Sequence, residues 1–381
     1  MNKIFTVAAL ALCLESCSGT ATLPRGNWAP TVYTALRNVL DSCQDGNYAV
    51  FDFDNTSIMG DVEMNTMAWQ TENLRFAFDT SRALTVFTDC IPALDSLIPS
   101  LGVSFRALAE DLASDYSALY GKPFDEARML PEYDDFKAKC WALAAATDEV
   151  FGYETGCLWP LRLFDRMTYA QIDSLTEEAV EWSLGLKEPY IDTWESPVMG
   201  KAGKICVSFS RGIRIAPELP QLYSALAEKG IKPYICSASM ERVVEELACN
   251  PKYGFGLDRS QVFGIRLDGG QEAEDTVGTS YAKGYPMTFM EGKVETIKTY
   301  IAPMFEGKDP VLVAGDSNGD YNMLTEFPGM RHGLIFNRDA KPPIRNLYVV
   351  KPDPESIPGK YVLQGRYFAA GTLVRDTENK D

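Results

Sequence analysis

The chain of 381 residues contains a single histidine, His332. That shortage excludes metal hydrolases of the purple and alkaline types, whose centres draw on several histidine ligands. None of its nine cysteines stands in a CxxC spacing, which argues against a zinc site. Positive charge is also short: 36 Lys and Arg face 53 Asp and Glu, a net charge of −17. Such a surface repels nucleic acid and anionic membranes. It repels a highly charged phosphate ester at long range too, so a phosphate site here has to be a local pocket with its own metal or lysine. No apolar run is long enough to span a bilayer as a helix, and there are no repeats or low-complexity tracts.

Apolar residues make up 46% of the chain, and the length suits two compact units or one domain with a large insertion. Residues 1–17 read as a targeting segment, with Lys3, the apolar stretch Ile4 to Leu14, and Glu15-Ser16-Cys17. Leu14-x-Ser16-Cys17 resembles a bacterial lipobox, although Glu15 replaces the usual small residue. The expectation is an exported protein, either periplasmic or anchored to the outer membrane through a lipid on Cys17, with a short tether from Ser18. Export implies an oxidising setting. Seven cysteines then remain, an odd number that leaves at least one unpaired. Cys236 lies in an apolar strand pattern and reads as a core thiol.

One stretch organises the rest, Tyr48-Ala49-Val50-Phe51-Asp52-Phe53-Asp54-Asn55-Thr56. Tyr48 to Phe51 has the length and composition of a buried strand. Alternation along a strand sends Asp52 and Asp54 to the same side at its end. Two carboxylates so close repel, which raises a pKa unless a cation sits between them. On its own the stretch fits solvated acids at a strand end, or a metal site in which one Asp attacks and the other carries protons.

Three further signals lie downstream. Ile235-Cys236-Ser237-Ala238-Ser239 is a strand running into hydroxyls before a helix. The Ser237 hydroxyl and the backbone N–H groups there, Ala238 included, suit a phosphoryl oxygen, although for the motif taken alone a serine N-cap is the commoner explanation. Gly292-Lys293-Val294-Glu295 puts a lysine at a helix start, where the helix dipole disfavours it. Ala314-Gly315-Asp316-Ser317-Asn318-Gly319-Asp320 is another apolar strand ending in Gly-Asp, with a second Asp four residues on. In an open parallel sheet all four motifs fall beyond the carboxyl ends of strands, where ligands bind.

These motifs, in this order, resemble the haloacid dehalogenase superfamily of phosphohydrolases over about Tyr48–Thr56 and Ile205–Arg338. The resemblance implies an α/β fold, a doubly wound parallel-sheet (Rossmannoid) core with a large inserted helical cap. It implies a Mg2+-dependent phosphomonoesterase working through an aspartyl-phosphate. Asp52 is then the nucleophile and Asp54 the proton carrier. Thr56 and Ser237 hold phosphoryl oxygens, and Lys293 neutralises charge. Asp52, Asp316 and the backbone carbonyl of Asp54 hold Mg2+. Asp320 either binds the metal directly or orients Lys293 and a metal-bound water. Arg331-His332-Gly333 is similar to the start of the histidine acid phosphatase motif, but that family needs a second histidine, so the segment reads as a turn before the strand Leu334–Phe336.

The chain then divides into the leader 1–17; an arm, helix and first strand, 18–56; the cap, 57–204; the resumed core, 205–350; and a C-terminal extension, 351–381, polar and frayed after Val374. Helices are expected at Pro30–Cys43 and, in the cap, at Glu63–Phe78, Arg82–Asp89, Ser104–Tyr120, Tyr133–Val150 and Tyr169–Leu184, with Ile205–Phe209 as one arm of a hairpin. The helical cap is similar to that of the phosphoserine phosphatase branch, and Trp28-Ala29-Pro30, Asp52 to Thr56, Gly212 to Leu219 and Tyr253-Gly254-Phe255-Gly256 resemble exported phosphorylcholine phosphatases, which implies a small phosphorylated substrate. For phosphocholine the cap offers Trp69, Trp141, Trp159, Tyr116, Tyr120 and Tyr190, each of which taken singly fits cap core better, and Gly60-Asp61 either supplies a carboxylate or simply turns the chain. For phosphoserine the candidate anchors are Arg75 and Arg162. The rival function is a catalytically inactive exported binding lipoprotein on the same fold.

Overall fold

The computed structural model describes residues 22–43, 45–197, 200–349 and 359–380. The leader, with Cys13 and Cys17, lies outside the described residues. Helix α1 (Pro30–Ser42) starts on a proline and buries Val32, Leu36, Val39 and Leu40 at helical spacing. Strand β1 (Asn47–Phe51) follows. The chain then leaves the sheet for helices α2 (Val62–Glu72), α3 (Thr80–Thr88), α4 (Phe105–Leu119), α5 (Pro131–Phe151), α6 (Tyr153–Arg162) and α7 (Tyr169–Gly185). An antiparallel hairpin, β2 (Tyr190–Glu195) and β3 (Cys206–Arg211), brings it back. The core resumes with α8 (Glu218–Glu228), β4 (Ile231–Met240), α9 (Glu241–Ala248), β5 (Val262–Ile265), α10 (Glu291–Thr296), β6 (Leu312–Gly315), α11 (Tyr321–Thr325), β7 (His332–Phe336) and β8 (Tyr361–Gln364).

The main sheet has six parallel strands in the order β8-β7-β6-β1-β4-β5. Alternation along β1 divides the core. Ala49 and Phe51 join the apolar cluster of α1, α8 and α9, while Tyr48 and Val50 join that of Val294, Ile297, Met323 and Leu324 on the other face. Strands buried on both faces explain the continuous apolar runs in the sequence. The chain runs outward from β1 to β4 and β5, then returns to β6 on the other side. The switch point therefore lies between β1 and β6, beyond whose carboxyl ends Asp52 and Asp316 stand.

The inserted helices have their own apolar cluster, with Phe78, Phe87, Phe136, Trp141 and Trp159 inside it. Helix α7 packs with the sheet domain through Tyr169, Ile172, Leu175 and Val180. Three elements differ from the expected layout. Helix α2 stops at Glu72, and Leu74 then takes a left-handed φ of 50°. Helix α6 begins after Gly152, whose φ is 82°. Residues beyond Val374 do not fray: Gly365 N–H donates to the Asp376 carbonyl at 2.9 Å, Asn337 Nδ2 to Thr377 O at 2.8 Å and Arg366 N–H to Asn379 Oδ1 at 3.1 Å. The seven described cysteines are all unpaired, and Cys236 is buried in the core.

Candidate active site

Asp52 continues the ladder of β1, its N–H donating to Ala314 O at 2.9 Å. The chain then makes one wide turn, closed by Ile58 N–H on Phe53 O at 3.1 Å, with Asn55 left-handed at φ 57°. Gly60 ends the turn at φ 96°; a side chain there would meet Gly212 O at 2.5 Å, so the tight crossing of outgoing and returning chains needs glycine. This turn separates the two acids. Asp54 Oδ1 accepts Val62 N–H at 2.6 Å and its Oδ2 accepts the Ser239 hydroxyl at 2.7 Å, whereas Asp52 turns to Lys293.

Lys293 is 1% exposed and donates to Asp52 Oδ1 and Asp320 Oδ1, both at 2.7 Å. Helix α10 carries it there, so the unfavourable position at a helix start is offset by two carboxylates. Asp320 Oδ2 accepts the backbone N–H groups of Asp316 at 2.9 Å and Ser317 at 3.1 Å. Both Asp320 oxygens thus take protein donors, which makes it the group that orients Lys293. Asp316 Oδ2 accepts Arg338 Nη1 at 2.8 Å. The Thr56 hydroxyl lies 3.1 Å from both Asp52 Oδ2 and Asp316 Oδ1. Thr56 is buried and braces these carboxylates; it does not line the cavity as a phosphoryl ligand would.

The cavity holds Asp52, Asp54, Ser237, Ala238, Lys293, Asp316 and Asp320 together. Burial is the main cause that raises Asp52 and Asp54 well above the ordinary carboxylate value and also raises Asp316; Asp320 adds to the shifts of Asp52 and Asp316, and Asp61 adds to that of Asp54. Burial acts to lower Lys293, but Asp320 and Asp52 outweigh it and hold its pKa above the usual lysine value. Carboxylate oxygens of Asp52, Asp316 and Asp320 lie within 4.8 Å of one another. An all-oxygen donor set of three buried carboxylates fits a hard divalent cation. The Asp54 carboxylate is not in that set; its oxygens accept the Val62 N–H and the Ser239 hydroxyl.

Several site residues escape sequence reasoning. Ser239 is one, though its two-residue spacing from Ser237 in an extended segment was a signal. Arg338 is another, one residue beyond Asn337 at the carboxyl end of β7. Tyr153, from the inserted domain, lines the cavity and stacks on Phe289 at 3.6 Å between ring centroids. Nothing in the periodicity marks it, because it follows a helix break. Asp61 lines this cavity, whereas none of the six expected cap aromatics does; Trp141 lines an adjoining cavity, stacked on Phe209 at 3.7 Å between ring centroids. Glu63 Oε2 accepts Met240 N–H at 2.6 Å, tying α2 to the end of the Ser237–Ser239 segment. Arg75 pairs with Glu178 and Arg162 with Asp89, so neither reaches the cavity. His332 lies elsewhere, at the start of β7, with Nδ1 2.8 Å from Gly359 O.

No family model matches the chain. It is 27% identical over 361 residues to the phosphorylcholine phosphatase of Pseudomonas aeruginosa, covering 88% of this chain and 87% of that one. The solved structure of a conserved, functionally unknown protein from Anaerococcus prevotii superposes with a TM-score of 0.83 at 26% identity, over 94% of this chain and 98% of the other. Four motifs gather at the switch point of a parallel sheet, with a helical domain inserted after the first, in a chain that is similar over most of its length to a phosphorylcholine phosphatase.

Proposed function

We propose that the protein is a Mg2+-dependent phosphomonoesterase that acts through an aspartyl-phosphate on a small phosphorylated metabolite. The observation that carries this is the Asp52 carboxylate, backed by Lys293 at 2.7 Å and set among Asp316 and Asp320, with Asp54 held apart by Ser239. Asp52 attacks phosphorus, and the bond from phosphorus to the leaving oxygen breaks. Asp54 gives its proton to that oxygen. Asp54 then takes a proton from water as the water oxygen attacks phosphorus, and Asp52 departs as a carboxylate. Lys293 holds Asp52 and offsets charge on the phosphoryl group, while Ser237 and the backbone at Ala238 bind its oxygens. Asp52, Asp316 and the backbone carbonyl of Asp54 would hold Mg2+, which would supply positive charge to offset the clustered carboxylates. Tyr153 and Phe289, stacked on each other, line the site beside these groups.

The name of the Pseudomonas relative supports phosphocholine as a substrate; a phosphoserine-like ester is the other. An inactive binding protein would have no use for the Asp52, Asp54, Lys293 and Asp316 set. The test is a panel of phosphocholine, phosphoethanolamine and phosphoserine, compared by kcat/KM with Mg2+. Turnover of at least one supports the reading, and none across a wider phosphomonoester panel with folded protein rejects it. We also propose export and lipid attachment at Cys17: a fatty-acid label is expected in the wild type and not in Cys17→Ser.

A further inference from the structure

A second cavity, of about 500 Å3, adjoins the catalytic one and shares Asn55, Asp61 and Arg338 with it. Its outer wall comes from the C-terminal segment, with Arg366, Phe368 and Lys380. Arg366 is 9% exposed, and Nη1 donates to the Asn55 carbonyl at 2.7 Å. The other buried cations among the described residues all have carboxylate partners: Lys139 with Asp115 and Asp135, Arg162 with Asp89, Arg211 with Asp192 and Glu72, Arg242 with Asp173, and Lys293 with Asp52 and Asp320. Arg366 alone among them has none, and burial lowers its pKa to about 10. A buried charge without a partner is costly, and Arg366 is among the residues that line the cavity. Arg338, whose side chain is 44% exposed, borders the same space and reaches Asp316. The lining carries three cations, Arg338, Arg366 and Lys380, against two carboxylates, Asp61 and Asp339, in a protein whose net charge is −17.

We propose that Arg338 and Arg366 form an oxyanion subsite beside the phosphoryl position, and that the preferred substrate is a phosphomonoester whose leaving alcohol carries a second anionic group. This rests on the phosphatase reading and selects within it. A free anion would use the same partners, so the experiment separates the two sources. Asp52→Asn protein with Mg2+ is titrated calorimetrically with O-phospho-L-serine, 3-phosphoglycerate, phosphocholine and malonate, and again after adding Arg366→Gln. Charge-assisted hydrogen bonds of this kind predict that the first two esters bind at least tenfold tighter than phosphocholine. Arg366→Gln is expected to remove that gap while the melting curve stays cooperative. If Arg366→Gln does not fold, Arg338→Gln serves instead. Equal binding of the three esters, with malonate binding that Arg366→Gln abolishes, keeps the subsite but gives it to a free anion and overturns the substrate assignment. Equal or tighter binding of phosphocholine, with no malonate binding, overturns the proposal. Because these are binding measurements, they stand apart from p-nitrophenyl phosphate turnover by the wild type, whose absence would reject the phosphatase reading itself.

Discussion

Asp52 and Asp54 stand two residues apart on one strand end, yet their partners set them to different tasks. Lys293 holds Asp52 in the carboxylate cluster, while Ser239 and the Val62 N–H turn Asp54 toward the inserted domain. The Ser239 hydrogen bond lowers the Asp54 pKa, in opposition to burial and Asp61. Ser239→Ala removes that donor, so the Asp54 pKa rises. Because the first step needs Asp54 protonated, the high-pH limb of kcat is expected to move to higher pH in Ser239→Ala, with KM changed less than kcat. A profile with unchanged limbs would show that Ser239 does not govern Asp54. Glu63 gives a second residue-scale test. Burial raises its pKa to about 8. Unfolding lets it ionise near its ordinary value, so the folded state holds the extra proton between pH 4.5 and about 8 and stability falls as pH rises through that window. Glu63→Gln cannot ionise. Its Tm relative to wild type is expected to be higher at pH 8 than at pH 5, and equal differences at both would contradict this.

At the scale of elements, what the sequence disclosed follows from burial. Strands β1, β4 and β6 are covered on both faces, so each is an apolar run that leads into the polar residues of a motif; the fourth motif, Lys293, was legible from its place at the start of helix α10. Strand β5 was not: Gly264 interrupts its pattern because a side chain there would lie 2.6 Å from the Glu241 backbone. Helix α6 carries no clean stripe, since it serves two clusters, Trp159 in the inserted domain and Leu161 in the sheet domain. The last residues looked unfolded because they bury few apolar groups; hydrogen bonds from Gly365, Arg366 and Asn337 hold them, and hydropathy does not register those. For the same reason Arg366 could not be placed at the site from sequence. Asp52, Asp316 and Lys293 could, because strand ends and a helix start carry them.

The whole molecule has distinct apolar clusters for the inserted domain and the sheet domain, joined by the chain crossings near Gly60 and Gly212 and by helices α6 and α7. The proposed Mg2+ ligands belong to the sheet domain alone. Urea unfolding followed by tryptophan fluorescence and by far-UV CD is therefore expected to give two non-coincident transitions. Mg2+ should raise only the midpoint of the sheet domain. A single transition displaced as a whole would show that the two domains unfold together.

The central claim is that Asp52 is a metal-assisted nucleophile. Phosphate release from p-nitrophenyl phosphate by wild type and Asp52→Asn, each with Mg2+ and with EDTA, tests it most directly. The account predicts release by the wild type with Mg2+ only, and a loss of several orders of magnitude, about 10³-fold or more, in Asp52→Asn. Comparable turnover by Asp52→Asn, or turnover by the wild type that EDTA leaves intact, would contradict it.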